Sequence, residues 1–283
     1  MEKKYKKSKA LRRLADVVSY IFASIALIIA FVPFFFMVLN SFKDKYEILL
    51  NGTFKMPKAF KLDNYIEVFQ KGITKYFINS TVVLVLSLSI LIVISLCAAY
   101  PLARLKFKLS KTIYALIVAC MSIPIHITLI PVFQMTKAMR LYDTIWALIG
   151  PNVAFGIPMS VFILVGFLKG IPKELEDAAQ VDGSSYYGIF WRIIVPLSKP
   201  GIATIAIYEG VSIWNEFSFA YTLTQSSNVR TLPLSIWDFQ SKYSTDMTKV
   251  MAVLVICLIP MLVLFAIEQD KLVKGMTAGA VKG

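Results

Sequence analysis

Five long intervals without a charged side chain divide this sequence, and they limit its fold more than any other feature. They span residues 17–42, 76–103, 112–136, 144–168 and 250–267. Crossing a hydrocarbon core of ~30 Å as a helix takes about 20 apolar residues. Because lipid offers no hydrogen-bond partner to backbone N–H and C=O groups, each interval is predicted to be a membrane-spanning helix.

A sixth interval lies between Lys199 and Arg230 and is as apolar as the others, except for Glu209 and Glu216. We therefore predict an all-α integral membrane protein, with residues 1–283 forming a single domain of six transmembrane helices. The predicted spans are residues 17–40, 77–102, 112–135, 144–168, 200–221 and 250–268.

The composition agrees with a membrane protein and argues against nucleic-acid binding. Apolar side chains make up 57% of the chain and the mean hydropathy is +0.68, whereas soluble domains have roughly 45–50% apolar residues. The formal net charge is +13, but the basic residues stand between apolar runs and not on one polar face. That placement favours contact with anionic headgroups of membrane lipid.

Lysine and arginine are unevenly divided between alternate connecting segments. With both termini on the inner side, the inner segments carry 18 of the 30 basic residues, including the clusters Lys3–Arg13 and Arg104–Lys111. Cytoplasmic segments of membrane proteins carry an excess of Lys and Arg. We therefore predict a multi-pass protein of the plasma or inner cell membrane with both termini in the cytoplasm.

The predicted inner loop, residues 170–198, has the pattern of a short helix that ends abruptly. Pro172 suits a first helical turn, the carboxylates of Glu174–Asp177 favour the positive end of the helix dipole, and Gly183 supplies a stop. Helical spacing places four residues on one face, namely Leu175, Ala178, Ala179 and Asp182. The two alanines keep the side chains on that face short, which suits close approach of another protein. An ordinary loop solvated by its charges is the alternative.

The spacing of this loop resembles the EAA loop of permease subunits in ATP-binding-cassette (ABC) importers. The family pattern is Glu-Ala-Ala, three residues, Gly, nine residues, Ile, one residue, Leu-Pro. The matching positions here are Ala178-Ala179, Gly183, Ile193 and Val195-Pro196. Asp177 stands where the family has Glu, and Val195 where it has Leu.

Other segments resemble the carbohydrate-importing branch, in particular the second permease of the maltose type. They are Ile213-Trp-Asn-Glu-Phe217, Ile123-Pro124, Leu129-Ile-Pro131 and the tail Gly275–Gly283. The resemblance covers residues 20–283. It implies the type I ABC importer permease fold, with the inner loop as a coupling helix seated in a cleft of a cytoplasmic ATPase.

The resemblance also implies site residues and partners. The residues carried over for ATPase coupling are Glu176, Asp177, Ala178, Ala179, Asp182, Gly183 and Pro196. The implied partners are a homologous second permease subunit, an ATPase dimer that binds ATP and magnesium, and an extracellular solute-binding protein that delivers a sugar or oligosaccharide. The outer loop with Ser226, Ser227 and Asn228 occupies the family's position of contact with the binding protein.

Two acids within the fifth predicted span mark a candidate substrate pathway. A carboxylate within a span is costly and by default functional. Glu209 and Glu216 are two turns apart, and the polar strip consists of Glu209, Ser212, Trp214, Asn215 and Glu216. Hydroxyl, amide, acid and indole groups suit hydrogen bonding and stacking with a sugar. The alternative is that Glu216 lies at the outer interface and Glu209 pairs with a partner helix.

Several motifs are missing from the sequence. It has no Gly-x4-Gly-Lys-Ser/Thr loop, so ATP is expected to act through another chain, and no catalytic residue is expected. The single histidine, His126, stands without a Cys or second His nearby, so no metal site or cofactor is expected.

Two alternatives to an ABC importer permease remain. One is a secondary transporter or facilitator in which Glu209 carries protons or pairs with an ion, and the other is a membrane scaffold without transport.

Overall fold

The described residues are mainly helical. The computed structural model describes residues 2–240 and 245–280, with the backbone alone at residues 2–14, 49 and 268–280. The helices are α1 (Glu2–Ser41), α2 (Lys45–Asn51), α3 (Asp63–Gln70), α4 (Ile73–Arg104), α5 (Ser110–Ala119), α6 (Leu129–Ala138), α7 (Trp146–Lys169), α8 (Glu174–Val181), α9 (Tyr186–Ile189), α10 (Val195–Leu197), α11 (Lys199–Trp214), α12 (Ser218–Leu223) and α13 (Met247–Ala280). One isolated bridge joins Gln240 and Thr245. The last three residues of the predicted tail motif, 281–283, lie outside the described residues.

Long apolar helices or a bent helix pair lie at five of the predicted spans, whereas the pair at the fifth begins at Tyr186, inside the predicted inner loop, and ends at Trp214. Within the described part of the chain, four helices are long and apolar enough to cross a membrane: Ala15–Ser41, Ile73–Arg104, Trp146–Lys169 and Met247–Ile267. Two bent pairs, Ser110–Ser122 with Ile125–Ala138 and Tyr186–Leu197 with Lys199–Trp214, bring the number to six if each pair is one span. The prediction of an all-α membrane protein is confirmed.

The third predicted span, residues 112–135, is bent. The chain turns by 93° between the two halves of this pair. Ile123, at the break, has the extended backbone angles φ −80° and ψ 114°, and Pro124 follows it. The proline ring disfavours helical angles for the residue before it, so the helix stops at this point.

The fifth predicted span, residues 200–221, is also interrupted. α11 ends at Trp214, and the helix resumes as α12 only at Ser218. No proline or glycine stands in the gap of residues 215–217. A side chain in the gap caps the helix that resumes, and its hydrogen bonds are described with the candidate site.

The chain divides into two compact units. The first comprises residues 1–71 and 236–256, and the second comprises residues 72–235 and 257–283. In the first unit, no residue in the most apolar part of α1 is buried against the described part of this chain. Such a helix has much of its apolar surface available for lipid or for another subunit.

A buried lysine organises the segment after α1. Lys43 is only 1% exposed, and its Nζ donates hydrogen bonds to the carbonyl oxygens of Gly52 and Thr53 at 3.2 and 2.9 Å. The side-chain amide of Asn64, on α3, donates to the carbonyl oxygens of Ser41 and Lys43 at 2.7 and 2.9 Å. The bond to Ser41 satisfies the last carbonyl of α1, which has no partner within the helix. The short helix α3 thus caps the end of the first span.

In the second unit, α4, α7 and α11 pack around a common core. Its buried side chains include Leu96 and Ala99 of α4, Val161 and Leu164 of α7, and Ile205 of α11. Lipid tails are as apolar as leucine, so helices in a membrane associate mainly by close packing and by polar contacts. The core therefore depends on how closely the helix backbones approach.

Gly156 lets α7 approach its neighbours. A Cβ at this position would lie 2.6 Å from Cδ2 of Leu91 on α4 and 3.1 Å from Oε2 of Glu209 on α11. At the other glycines of the fourth predicted span, Gly150 and Gly166, an added Cβ would have nothing within 4 Å. Among these three glycines, close approach to a neighbouring helix is therefore a property of Gly156 alone.

We predict that Gly156→Val destabilises the second unit by about 1–3 kcal/mol, because added methyl groups overpack a buried contact. Thermal unfolding of the detergent-solubilised chain would show a lower midpoint. Gly166→Val is the matched control, since its new side chain enters open space, and its midpoint should equal that of the unchanged protein. Equal midpoints for the two variants would contradict this account of the helix contact.

Candidate functional site

The loop predicted to dock on another protein folds as a bent pair of helices. α8 begins at Glu174, two residues after Pro172, and α9 follows at Tyr186. A π-helical turn, Phe190–Ile194, leads into α10. The side chain of Ser185 starts α9 by accepting a hydrogen bond from the backbone N–H of Gly188 at 3.2 Å.

Gly183 terminates α8 through its backbone geometry. Its φ is +80°, in the left-handed region that glycine adopts without strain. The N–H of Gly183 donates to the carbonyl of Gln180 at 3.0 Å, and the N–H of Ser184 donates to that of Ala179 at 2.9 Å. This pair of bonds is the Schellman arrangement, which satisfies the last carbonyls of a helix. The stop predicted at this glycine is present.

α8 buries one face and exposes the other. Glu176 and Ala179 are 6% and 7% exposed, whereas Asp177 and Ala178 are exposed. Ala179 belongs to the same core cluster as the bases of α4 and α7. The two alanines predicted to share one face therefore differ in exposure, because Ala179 packs inward and Ala178 remains available to a partner.

Glu176 points to the end of α4. Nε of Arg104 lies 2.6 Å from its Oε1 in an ion pair that lacks hydrogen-bond alignment. The hydroxyl of Tyr100 donates to Oε2 at 3.0 Å, and Nη2 of Arg104 donates to the carbonyl of Ile171 at 2.8 Å. The sequence groups Glu176 with residues that contact a partner, but its carboxylate is buried within this chain.

The other residues predicted for coupling remain on the surface. Asp182 caps the end of α8 and is exposed, and Pro196 lies in the first turn of α10 and is exposed. Sequence reasoning did not single out Tyr100 or Arg104. Arg104 enters the sequence argument only as one of the basic residues of the inner side, and no local pattern pairs it with a residue 72 positions away.

The polar strip predicted on the fifth span is split between two faces of α11. Glu209 and Trp214 are 5% and 4% exposed. Nε1 of Trp214 donates to the carbonyl of Cys257 at 3.1 Å, and its ring meets Phe77 edge-on at 5.5 Å. These two residues serve helix packing in this structure. Glu209 faces Gly156 of α7, whereas Ser212 and Asn215 are exposed, and a role of Glu209 in the substrate pathway stays a prediction.

Ser212 and Asn215 lie on the exposed face of α11. Tyr208 is 52% exposed and stands four residues before Ser212, so the three side chains follow one face at helical spacing. Tyr208 was not identified from the sequence. Contact of this face with a substrate stays a prediction.

Glu216 starts the helix that follows the interruption. Its Oε1 accepts a hydrogen bond from the N–H of Phe219 at 2.6 Å, and its Oε2 accepts one from the N–H of Ala220 at 2.9 Å. A carboxylate that accepts from the first N–H groups of a helix is a capping residue. The sequence signal was available: an acid lies immediately before a short apolar segment.

The outer loop predicted to contact a binding protein is fixed at its start by Asp143. Oδ1 of Asp143 accepts hydrogen bonds from the N–H groups of Gln225 and Ser226, at 2.8 and 2.9 Å, and from the Ser226 hydroxyl at 3.2 Å. Burial opposes ionisation of Asp143, but these donors and the charge of Arg230 outweigh it and lower the pKa of the carboxyl below its ordinary value. The anchor is therefore ionised at neutral pH.

The same loop is fixed at its other end. The side-chain amide of Asn79 donates to the carbonyl oxygens of Asn228 and Arg230, at 2.9 Å each, and Nζ of Lys75 donates to Oδ1 of Asn228. Ser227, between the two anchors, is exposed. Residues 225–230 thus form a braced turn, which means a turn held by side-chain hydrogen bonds at both ends. The residues that anchor it were not predicted from the sequence.

No metal centre emerges from the part of the chain that the structure describes. No group of three or more His, Cys, Asp or Glu side chains is placed to hold an ion there. His126 lies in a 3₁₀ turn before α6.

Comparison with known proteins gives consistent matches. Residues 92–278 match the family model of the binding-protein-dependent transport system inner membrane component. A putative ABC transporter permease protein of Caldicellulosiruptor sp. is 46% identical over 93% of this chain and 96% of its own length. The melibiose/raffinose/stachyose import permease protein MelC of Bacillus subtilis is 33% identical over 97% of this chain and 100% of its own length.

The fold also has a solved counterpart. A chain from a bacterial ABC transporter that imports the acidic polysaccharide alginate superimposes with a TM-score of 0.79 and 19% identity, covering 91% of this chain and 96% of that chain. The predicted resemblance to ABC importer permeases and their fold is confirmed. This chain belongs to the binding-protein-dependent transport system inner membrane component family.

Proposed function

We propose that this chain forms half of the translocation pathway of an ABC importer for a sugar or oligosaccharide. Its partners are a homologous permease subunit, two ATPase subunits and an extracellular binding protein. ATP and magnesium bind to the ATPase subunits. The exposed face of α8 carries the proposal, since it is a short helix held on the bases of the spans with Asp177 and Ala178 uncovered.

Movement of α8 couples ATP hydrolysis to transport. Closure of the ATPase pair displaces α8, and the displacement changes the side of the membrane to which the pathway opens. A two-state element of this kind responds only to a partner that binds one state more tightly. The buried face of α8 supports this role, because a helix packed into the span core cannot move without moving the spans.

The cargo is assigned from chemistry and from relatives. Tyr208, Ser212 and Asn215 on the open face of α11 offer a ring, a hydroxyl and an amide, which suit the C–H faces and hydroxyls of a sugar. The relatives named above include importers of oligosaccharides and of a polysaccharide. The acids Glu209 and Glu216 contribute to this pathway indirectly, through helix packing and capping.

The outer loop meets the binding protein, and α1 meets the second permease subunit or lipid. The braced turn at Ser226, Ser227 and Asn228 supports the first contact, because a fixed surface loses less conformational freedom on binding. The uncovered apolar surface of α1 supports the second. In this arrangement both termini and α8 face the cytoplasm.

Reconstitution in vesicles tests the proposal. The chain is combined with ATPase, permease and binding-protein candidates from its own genome, and uptake of a panel of labelled mono- and oligosaccharides is measured. We expect uptake of at least one sugar only when ATP and every partner are present. Uptake by this chain alone on an ion gradient would instead support a secondary transporter and would contradict the proposal.

We predict that Asp143→Asn loosens the braced turn without disturbing the fold. A neutral amide accepts weaker hydrogen bonds than a carboxylate, and asparagine tolerates the φ of 60° at this position. A loss of about 1 kcal/mol corresponds to roughly five-fold faster amide hydrogen exchange. Exchange at Gln225 and Ser226 should accelerate by this factor, and stimulation of ATP hydrolysis by the binding protein should fall.

The pH dependence of this anchor has a defined sign. Because the pKa of Asp143 is lowered in the fold, the stabilisation that its carboxylate gives the turn is fully present above the ordinary carboxyl pKa and is lost as pH falls through the lowered value.

Asp44→Asn is the control for Asp143→Asn, since Asp44 caps α2 and asparagine caps equally well. Unchanged exchange at both amides in Asp143→Asn would contradict the anchoring role.

A further inference from the structure

Two side chains near the end of α4 contact the coupling helix α8. Tyr100 and Arg104 are one turn apart and therefore lie on the same face of α4. Both reach the carboxylate of Glu176, at 3.0 and 2.6 Å. Along the chain, α8 is joined to α7 before it and, through α9 and α10, to α11 after it. The carboxylate adds a third attachment, to a helix distant in sequence.

The attachment is shielded from water. The side chains of Arg104 and Glu176 are 9% and 7% exposed. Removing one member of such a pair leaves the other charge buried and uncompensated. Separating the two helices therefore requires breaking an ion pair that is largely shielded from water.

α4 also contacts the far arm of the bent loop. The ring of Tyr100 lies 5.3 Å from the ring of Phe190, which follows α9. Ala99 of α4, Ala179 of α8 and Ile189 of α9 are buried in one cluster. Polar and apolar contacts thus hold α8, α9 and the end of α4 together.

We propose that Tyr100, Arg104 and Glu176 form a rigid link through which displacement of α8 moves α4. The link deepens the coupling role given above and rests on it. Glu176 is then a positioning residue that acts on this chain, and the exposed residues beside it contact the ATPase. Arg104 and Tyr100 act through Glu176 in the same sense.

The link itself is tested in this chain alone. After replacement of the native cysteines by serine, spin labels are attached at Lys106→Cys and Lys173→Cys, both exposed positions. The distance distribution between the labels should be narrow. Arg104→Gln should broaden it, whereas Lys108→Gln, which removes a neighbouring exposed charge, should not. The same narrow distribution in Arg104→Gln would overturn the proposal.

A gentler variant covers the case in which Arg104→Gln fails to fold. Tyr100→Phe removes only the hydroxyl and keeps the ring against Phe190. It should broaden the distribution less than loss of the arginine. If Arg104→Gln does not fold and the distance distribution in Tyr100→Phe is unchanged, the contacts serve folding only, and the proposed link is overturned.

Transmission is tested in the full complex with ATP and vanadate as the probe. In the unchanged protein the distance between the labels should be the same in the nucleotide-free and vanadate-trapped states, because α8 and α4 move together. In Arg104→Gln it should differ between the two states. A state-dependent distance in the unchanged protein would overturn the proposal. Failure of the chain to assemble with any ATPase would reject the proposed function and leave the result on the isolated chain standing.

Discussion

The contact of Glu176 with Arg104 and Tyr100 determines how α8 is oriented. A carboxylate in the first turn of α8 is drawn against the base of α4, and Ala179, one turn further on, packs into the core of the spans. With that face fixed, helical periodicity turns Asp177 and Ala178 outward. The surface offered to another protein is therefore a consequence of an interaction inside this one.

The membrane imposes the rest of the architecture. Backbone groups have no partners in lipid, so the chain is mainly helical, and polar side chains satisfy the backbone at several of its interruptions. Glu216 caps α12 after the break in the fifth span. Asn64 closes the carbonyl end of α1, and Asp143 holds the turn that follows α12. Three polar side chains thus permit turns in a sequence dominated by apolar residues.

Much of this could be read from the sequence because it depends on local patterns. Charge-free intervals predicted the spans, and the spacing to Gly183 predicted where α8 ends. Local patterns could not show which way the side chains of Glu176, Glu209 and Trp214 point. The partners of Glu176 and Trp214 are 43 or more positions away, and Glu209 lies against a glycine on another helix. Periodicity gives the faces of a helix but not which face is buried.

The central claim is that α8 presents one face to a separate ATPase. Photo-crosslinking from adjacent positions tests it most directly, with a photoreactive amino acid at position 178 or at position 179 in the assembled importer. Ala178 is exposed and Ala179 is buried, so the account predicts crosslinks to the ATP-hydrolysing subunit from position 178 and crosslinks within this chain from position 179. Crosslinks to lipid alone from position 178, or equal yields of ATPase crosslinks from both positions, would contradict it.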